Sequence, residues 1–269
     1  MPTIRPAAVA GAFYPGNSAT LAAEVSAYLA DAERDHVGGR PPKALIAPHA
    51  GYVYSGPVAA CAYARLKPLR GRITRVVLAG PAHRVFVRGV AVPAAGAFAS
   101  PLGTVALDRS AIERIQTLAF VEVSDIAHAF EHSLEVHLPF LQSLLGEFAL
   151  VPLVVGDATP AEMAQILELL WGGEESLIVV SSDLSHYLPY DAARRKDRAT
   201  AESILRLDAR LDPGQACGAA PINGLLEIAR RRGLEPELVD LRNSGDTAGG
   251  RDRVVGYGSF AFHERAADA

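Results

Sequence analysis

Residues 177–186 read LIVVSSDLSH, an apolar run (Leu177–Val180) that passes directly into polar and titratable side chains. Three further runs have the same apolar character, namely Ala44–Ala47, Val76–Ala79 and Leu150–Val155. None of the four runs alternates strictly between apolar and polar residues. This pattern indicates strands that are covered on both faces, as in a mostly parallel sheet.

Helical patterns separate these predicted strands, with apolar residues three and four positions apart. They cover Val58–Leu66, Ser110–Leu118, Pro160–Trp171 and Ala192–Leu207. Near the C-terminus, Pro236–Leu241 and Val254–His263 are predicted strands of a hairpin-like or antiparallel edge. The alternation of strands and helices predicts an α/β fold, a three-layer α/β/α sandwich with a mixed, mostly parallel central sheet.

The composition fits one globular domain. The chain has 269 residues, of which 49% are apolar and 21% charged, and a chain of this length buries a large core without disulfides. The linker-like stretch Asp35–Pro42 precedes the first strand and is expected to be a loop. Because the sequence shows no internal repeat or low-complexity segment, we expect a single domain over residues 1–269.

Several classes of protein are disfavoured by the sequence. A net charge of −4 provides no general attraction to nucleic acid or to an anionic membrane. No apolar run reaches the ~18–20 residues of a bilayer span, and Met1–Pro15 lacks the pattern of a signal peptide. Two cysteines are too few for a disulfide framework.

Glycine-rich phosphate loops and Gly-x-Ser-x-Gly elbows are missing from the sequence, which disfavours nucleotide binding and serine hydrolysis. We expect a cytoplasmic protein.

Histidines follow three of the predicted strands. His49 follows the first strand, His83 the second and His186 the fourth, each within six residues of the apolar run. The carboxyl ends of strands are where open α/β sheets bind ligands. Any one of these histidines taken alone is equally well explained as an ordinary loop residue. The three together predict a reactive site at this edge.

Further candidates have competing structural explanations. Glu131 and His132 begin the segment 131–137 (EHSLEVH), which is not the HExxH zinc motif and is otherwise a polar helix face. The segment starts a helical pattern that ends near Leu145, in which Pro139 predicts a kink or a late helix start. Cys217 lies in a turn near a helix start, where its thiolate would be stabilised, although a lone cysteine is usually a buried small side chain. Asp246 follows a strand in a segment that also reads as a plain tight turn.

These segments together resemble the Memo family. The resemblance extends from about Ile4 to Phe262 and rests on long motifs in a fixed order. They are residues 5–6 (RP), 10–15 (AGAFYP), 47–56 (APHAGYVYSG), 80–83 (GPAH), 131–140 (EHSLEVHLPF), 182–187 (SDLSHY) and 217–218 (CG). Within that family, the chain is similar to Memo-like protein B of the AmmeMemoRadiSam system.

The resemblance implies both a fold and a site. Memo proteins are similar in fold to class III extradiol ring-cleavage dioxygenases, in which two histidines and a carboxylate hold Fe(II) and another histidine acts as acid/base. By this resemblance, His49 and His83 match the two histidine ligands. His186 matches the acid/base histidine, with Asp183 beside it. Cys217 stands where the dioxygenases have their carboxylate. Animal Memo proteins are described as binding iron or copper.

The cysteine changes the expected chemistry. A thiolate is softer than a carboxylate, favours copper, zinc or thiophilic iron, and can itself be oxidised. Catechol cleavage is therefore not carried over. We expect one transition metal, Fe(II) or Cu with Zn as a third candidate, held by His49, His83 and Cys217. The pocket would be lined or braced by the residues Glu131, His132, Tyr54 and Asp246.

The expected activity is metal-dependent oxidation of a small molecule or peptide. In this scheme His186 and Asp183 are the catalytic residues. Two alternatives remain open at the level of the sequence. One is a non-catalytic module that binds a peptide or protein, with a radical-SAM protein as the partner that the resemblance implies. The other is a metal-dependent hydrolase that uses an activated water molecule.

Overall fold

The computed structural model describes residues 3–35 and 40–265, so residues 36–39 of the expected loop Asp35–Pro42 lie outside the described residues. The strands are β1 (Ile4–Arg5), β2 (Ala44–Ala47), β3 (Arg75–Pro81), β4 (Val90–Val92), β5 (Ala97–Ser100), β6 (Gly103–Ala106), β7 (Val121–Val123), β8 (Ala149–Val155), β9 (Ser176–Ser181), β10 (His186–Leu188), β11 (Glu235–Asn243) and β12 (Val254–His263). The helices are α1 (Ser18–Asp35), α2 (Tyr52–Ala64), α3 (Arg109–Ile115), α4 (Asp125–Ala129), α5 (Leu138–Leu145), α6 (Pro160–Leu170), α7 (Tyr190–Leu205) and α8 (Ala219–Arg232). Short 3₁₀ turns cover Lys67–Leu69, Glu135–His137 and Ser244–Asp246.

The main sheet is mixed. Within the described residues it has nine strands, in the order β10-β12-β2-β9-β3-β8-β4-β7, with β11 paired to β12. The four strands β2, β9, β3 and β8 form a parallel block at its centre. Antiparallel pairs join this block to β12 on one side and to β4 on the other. The predicted α/β fold with a mixed sheet is confirmed, and the antiparallel pair β11 and β12 forms the edge expected from the C-terminal sequence.

Helices cover both faces of the parallel block. The chain crosses the sheet in one direction from β2 through α2 to β3, and in the opposite direction from β8 through α6 to β9. Because such crossovers are right-handed, α2 and α6 lie on opposite faces. Helices α1 and α5 pack with α2, whereas α3 and α8 pack with α6. This double cover explains why every residue of β2 and β9 is buried.

The helical pattern that runs from about Glu131 to Leu145 has the late start that Pro139 predicts. The α-helix α5 begins only at Leu138, with Pro139 in its first turn, where a proline costs no helical hydrogen bond. The residues before it form a 3₁₀ turn over Glu135–His137 and an irregular segment. His132 therefore lies on an irregular backbone and not on a helix face.

A smaller three-stranded sheet is formed by β1, β5 and β6. It brings the N-terminal segment beside the residues that precede α5, through contacts described below. None of the described helices combines the length and the apolar character needed to cross a membrane.

Candidate metal centre

Three neighbouring parallel strands end at the same edge of the sheet. His49 follows β2, Asp183 follows β9 and His83 follows β3. Since Ala47 of β2 pairs with Ser181 of β9, these ends lie side by side. The ring centroids of His49 and His83 are 5.2 Å apart. The fold thus brings together two of the histidines that the sequence placed after strands.

His49 is held in one tautomer. Its Nδ1 lies 2.5 Å from the hydroxyl of Ser181, and that hydroxyl donates to the carbonyl of Ser133 at 2.6 Å. Because the Ser181 proton is used in this way, its oxygen accepts from Nδ1–H, and Nε2 keeps its lone pair. The ring is buried, and burial together with the neighbouring histidines holds the pKa of His49 well below its usual range. The imidazole is therefore neutral, with Nε2 free to bind an ion.

Glu131 orients His83. One carboxylate oxygen of Glu131 accepts from the backbone N–H of His83 at 2.6 Å, and the other lies 3.0 Å from Nδ1 of its ring. Burial of Glu131 opposes ionisation, but hydrogen bonds from His83 and from the backbone of Ser133 hold its pKa at about 2. The carboxylate therefore fixes the proton of His83 on Nδ1 and leaves Nε2 as the available nitrogen.

His132 is the third ring of the cluster. It stacks on His83 with a centroid distance of 4.7 Å, and Phe13 packs against it, also at 4.7 Å. Its Nδ1 lies 3.3 Å from a carboxylate oxygen of Glu131 but has no hydrogen-bond partner and is buried. Burial lowers the pKa of His132 to about 4. The ring is neutral, and one of its nitrogens is buried without a hydrogen bond.

The three histidines meet the geometric requirement for a metal site. His49, His83 and His132 each offer one ring nitrogen, and these atoms all lie within 4.8 Å of one another. Neutral imidazoles are ligands for zinc, copper, iron and nickel. These residues therefore fit a transition metal. The sequence analysis placed His132 only in the lining or bracing of the pocket, whereas the structure places it among the candidate ligands.

Cys217 lies beside this cluster but outside it. Its Sγ is 3.4 Å from Nε2 of His49 and accepts from the backbone N–H of Asp183 at 3.3 Å. Two donors bonded tetrahedrally to one ion, with bonds of about 2.1 and 2.3 Å, lie about 3.6 Å apart. The contact with His49 is therefore compatible with a shared ion. The group of three nitrogens described above does not include the cysteine.

The turn that carries Cys217 approaches the sheet closely. A Cβ atom on Gly218 would lie 2.6 Å from the carbonyl oxygen of Ser181, so this position needs a glycine. Burial and the charge of Asp183 raise the pKa of Cys217 to about 12. The backbone N–H of Gly218, at the start of α8, lowers this pKa as the sequence analysis expected, but loss of hydration outweighs it.

His186 and Asp183, the catalytic pair expected from the sequence, both line the cavity above the cluster. His186 begins β10 and lines the cavity above the cluster. Asp183 is buried, and its Oδ1 accepts from the backbone N–H of His49 at 2.8 Å. Burial raises the pKa of Asp183 to about 6. Among the described residues no hydrogen bond joins Asp183 to His186, so Asp183 positions His49 more directly than it orients His186.

A cavity of about 710 Å³ lies over the cluster. Tyr54 lines it, as expected. Asp246 lines a separate cavity of about 470 Å³, where its carboxylate accepts hydrogen bonds from the hydroxyl of Tyr190 and the backbone N–H of Asn243. Asp246 is therefore not part of the lining of the cavity over the histidines, which was its expected place.

The N-terminal segment is a part of the site that the sequence analysis did not assign. The carboxylate of Glu135 accepts from the guanidinium of Arg5 and from the hydroxyl of Tyr14, the latter at 2.5 Å. These bonds fix the chain around Phe13, which packs on His132. The sequence signal for this contact was the segment 10–15 (AGAFYP), which contributed only to the resemblance.

Comparisons with known proteins agree with the motifs. Residues 5–261 match the family model described as Memo-like protein. A MEMO1 family protein of Sulfolobus acidocaldarius is 34% identical to this chain, and the alignment covers 96% of this chain and 99% of the relative. A second, from Pyrobaculum aerophilum, is 36% identical and covers 97% and 99%. An uncharacterized protein of Escherichia coli K12 with a solved structure is 18% identical, with a TM-score of 0.49 and coverage of 81% and 99%.

Proposed function

The chain belongs to the Memo-like family, and from this premise we propose that it binds one iron or copper ion at the histidine cluster and uses it in an oxidation reaction. One observation carries the proposal. Three imidazoles, those of His49, His83 and His132, present ring nitrogens within 4.8 Å of one another in the lining of a cavity. Such a set of ligands leaves coordination positions open on the side of the cavity.

His49, His83 and His132 would hold the ion, with Cys217 as a further donor. The thiol would lose its proton on binding, because the thiolate is the form that ligates metals. A thiolate favours copper or thiophilic iron over harder ions. When bound, the ion would supply electron transfer to or from O₂ or a reactive oxygen species.

The remaining residues have roles that follow from their contacts. Glu131 keeps the proton of His83 on Nδ1, so that the other nitrogen stays available. Asp183 holds the backbone of His49. His186, on the cavity wall, would move a proton to or from the substrate. Tyr54 would form part of the wall that contacts the substrate.

The direct test is an anaerobic titration with Fe(II) and with Cu(I), applied to the wild type, His49→Ala and His186→Ala. We expect about one equivalent in the wild type and in His186→Ala, and none bound tightly in His49→Ala. Equal stoichiometry in all three proteins would remove His49 as a ligand. Metal retention with loss of oxygen-dependent turnover in His186→Ala would support its role in proton transfer.

The donor set also favours a second candidate, metal-dependent hydrolysis. Three imidazoles and an open position form the ligand set of catalytic zinc sites that activate water. Oxygen uptake separates the two reactions. Turnover supported by zinc and not by iron or copper, without consumption of O₂, would replace the oxidation proposal with hydrolysis.

A further inference from the structure

Tyr187 has an unfavourable backbone conformation at the mouth of the cavity. Its φ is +57°, and in the described part of the chain the other residue besides glycine with a positive φ is Leu207, at +54°. Bulky side chains disfavour this region, which glycine adopts without cost. A tyrosine at such a position therefore indicates that its side chain has a use.

A β-bulge produces this conformation. His186 pairs with Val255 and Leu188 pairs with Val254, so Tyr187 is the extra residue between two adjacent positions of β12. Bulges next to active sites change the direction in which a side chain points. Here the bulge presents the Tyr187 ring to the cavity, directly after His186.

Packing within the protein does not account for the ring. The Tyr187 side chain is 64% exposed. Its neighbours are the ring of His186, with centroids 5.8 Å apart, and the guanidinium of Arg253, whose Cζ lies 6.0 Å from the ring centroid. Little apolar burial therefore offsets the unfavourable φ. A ligand in the cavity would cover the free face of the ring.

The cavity offers aromatic surface and uncompensated positive charge. Its aromatic lining also includes Phe13, Tyr54 and Tyr257. Arg84 and Arg253 line the same cavity, and the one carboxylate among its described lining residues is that of Asp183. Asp183, the carboxylate of the lining, already accepts from His49. These groups complement a planar ring that carries an acidic group.

We infer that Tyr187 is a substrate-contacting residue and that the cavity binds an aromatic carboxylate. The ring of the ligand stacks on Tyr187, and Arg253 holds its carboxylate. The inference rests on the proposed function, because it places the substrate over the same histidines. Its contacts are made by protein side chains, so they are measurable with and without the ion.

The test uses benzoate and cyclohexanecarboxylate, which share a charge and a size but differ in aromaticity. Both are titrated by calorimetry into the metal-free and the Fe(II)-loaded protein without oxygen. We expect benzoate to bind at least about fivefold more tightly than cyclohexanecarboxylate. Tyr187→Gly weakens benzoate binding about tenfold, and Tyr187→Phe changes it less than about threefold. Arg253→Gln also weakens it about tenfold.

Two further measurements separate ligand contact from a structural role. Tyr187→Gly is expected to raise the melting temperature by about 2 °C, because glycine relieves the unfavourable φ. Leu207→Gly, at the other position with positive φ, should leave benzoate binding unchanged. The inference is overturned if the wild type does not bind benzoate, if Tyr187→Gly binds it as tightly as the wild type, or if that variant melts at a clearly lower temperature.

Metal binding is measured on the same samples. Tyr187→Gly should take up Fe(II) with the stoichiometry of the wild type, since no candidate ligand is changed. A wild type that binds benzoate through Tyr187 but takes up no metal would contradict the proposed function and leave the aromatic site standing. A wild type that binds metal but not benzoate would contradict the aromatic site and leave the proposed function standing.

Discussion

The Sγ atom of Cys217 lies 3.4 Å from Nε2 of His49, although 168 residues separate the two in the chain. His49 follows β2, and Cys217 lies in the turn that precedes α8. Since Nδ1 of His49 is bonded to Ser181, Nε2 is the nitrogen left to bind an ion, and it is also the nitrogen that contacts the cysteine. An ion bound at this nitrogen would therefore lie next to the sulfur.

Replacing Cys217 by serine should weaken the site without abolishing it. We expect Cys217→Ser to keep a stoichiometry of about one ion, because three imidazoles remain, with at least about tenfold lower affinity for Cu(I), since the soft donor is lost. X-ray absorption should detect one sulfur at about 2.3 Å in the loaded wild type and none in the variant. Cys61→Ser is the matched control, because Cys61 packs near Asp240 and away from the cluster. A wild-type spectrum without sulfur at bonding distance would exclude Cys217 as a ligand.

Glu131 should control metal affinity through His83. Glu131→Gln keeps the shape of the side chain but removes the charge that fixes the proton on Nδ1. Loss of such a partner lowers metal affinity by about 10–100-fold, which a competition titration measures. Glu122→Gln, at an exposed glutamate on β7, serves as the control and should bind as the wild type does. Unchanged affinity in Glu131→Gln would contradict the orienting role of this carboxylate.

The buried pair of Arg5 and Glu135 should make a large contribution to stability. Glu135 is 0% exposed and Arg5 is 6% exposed. Glu135→Ala leaves a buried guanidinium without its counter-charge, so we expect the free energy of unfolding in urea to fall by about 3–5 kcal/mol. Glu202→Ala removes an exposed partner of Arg206 and should cost less than about 1 kcal/mol. Similar losses in the two variants would show that burial does not decide the effect.

Stability should fall as the pH drops below about 6.5, in part because of His128. Burial lowers the pKa of His128 to about 4, and its Nε2 lies 3.0 Å from the carbonyl of Ala91. Between the unfolded pKa near 6.5 and the folded value, the unfolded chain binds more protons, so protonation favours unfolding as the pH falls. For this residue the loss is at most about 3 kcal/mol.

Urea unfolding between pH 7.5 and pH 4.5 measures this dependence. His128→Gln, which retains a donor for the carbonyl of Ala91, should show a shallower decline than the wild type. The decline should not vanish, because burial also lowers the pKa values of His132 and His137, to about 4 and about 3. Identical pH profiles in the two proteins would contradict a buried neutral His128.

Much of the sheet was predictable because its central strands are continuous apolar runs. Ala44–Ala47 is a strand with the same bounds in the structure, and the run Leu150–Val155 differs from β8 by one residue. In the helical pattern that ends near Leu145, Pro139 predicted the late helix start, but the sequence did not predict how residues 131–137 are held. There, the carboxylates of Glu131 and Glu135 bind the backbone and side chains of distant segments, and no apolar spacing reports such contacts.

The sequence by itself determined the α/β alternation, the placement of His49 and His83 after buried strands, and the family. It did so because apolar runs and strand ends are local properties of the chain. Only the tertiary structure decided that His132 lies with His49 and His83, and that the sulfur of Cys217 contacts the ring of His49. Those relationships depend on side-chain packing across the sheet edge, and the protonation of each group depends on how deeply that packing buries it.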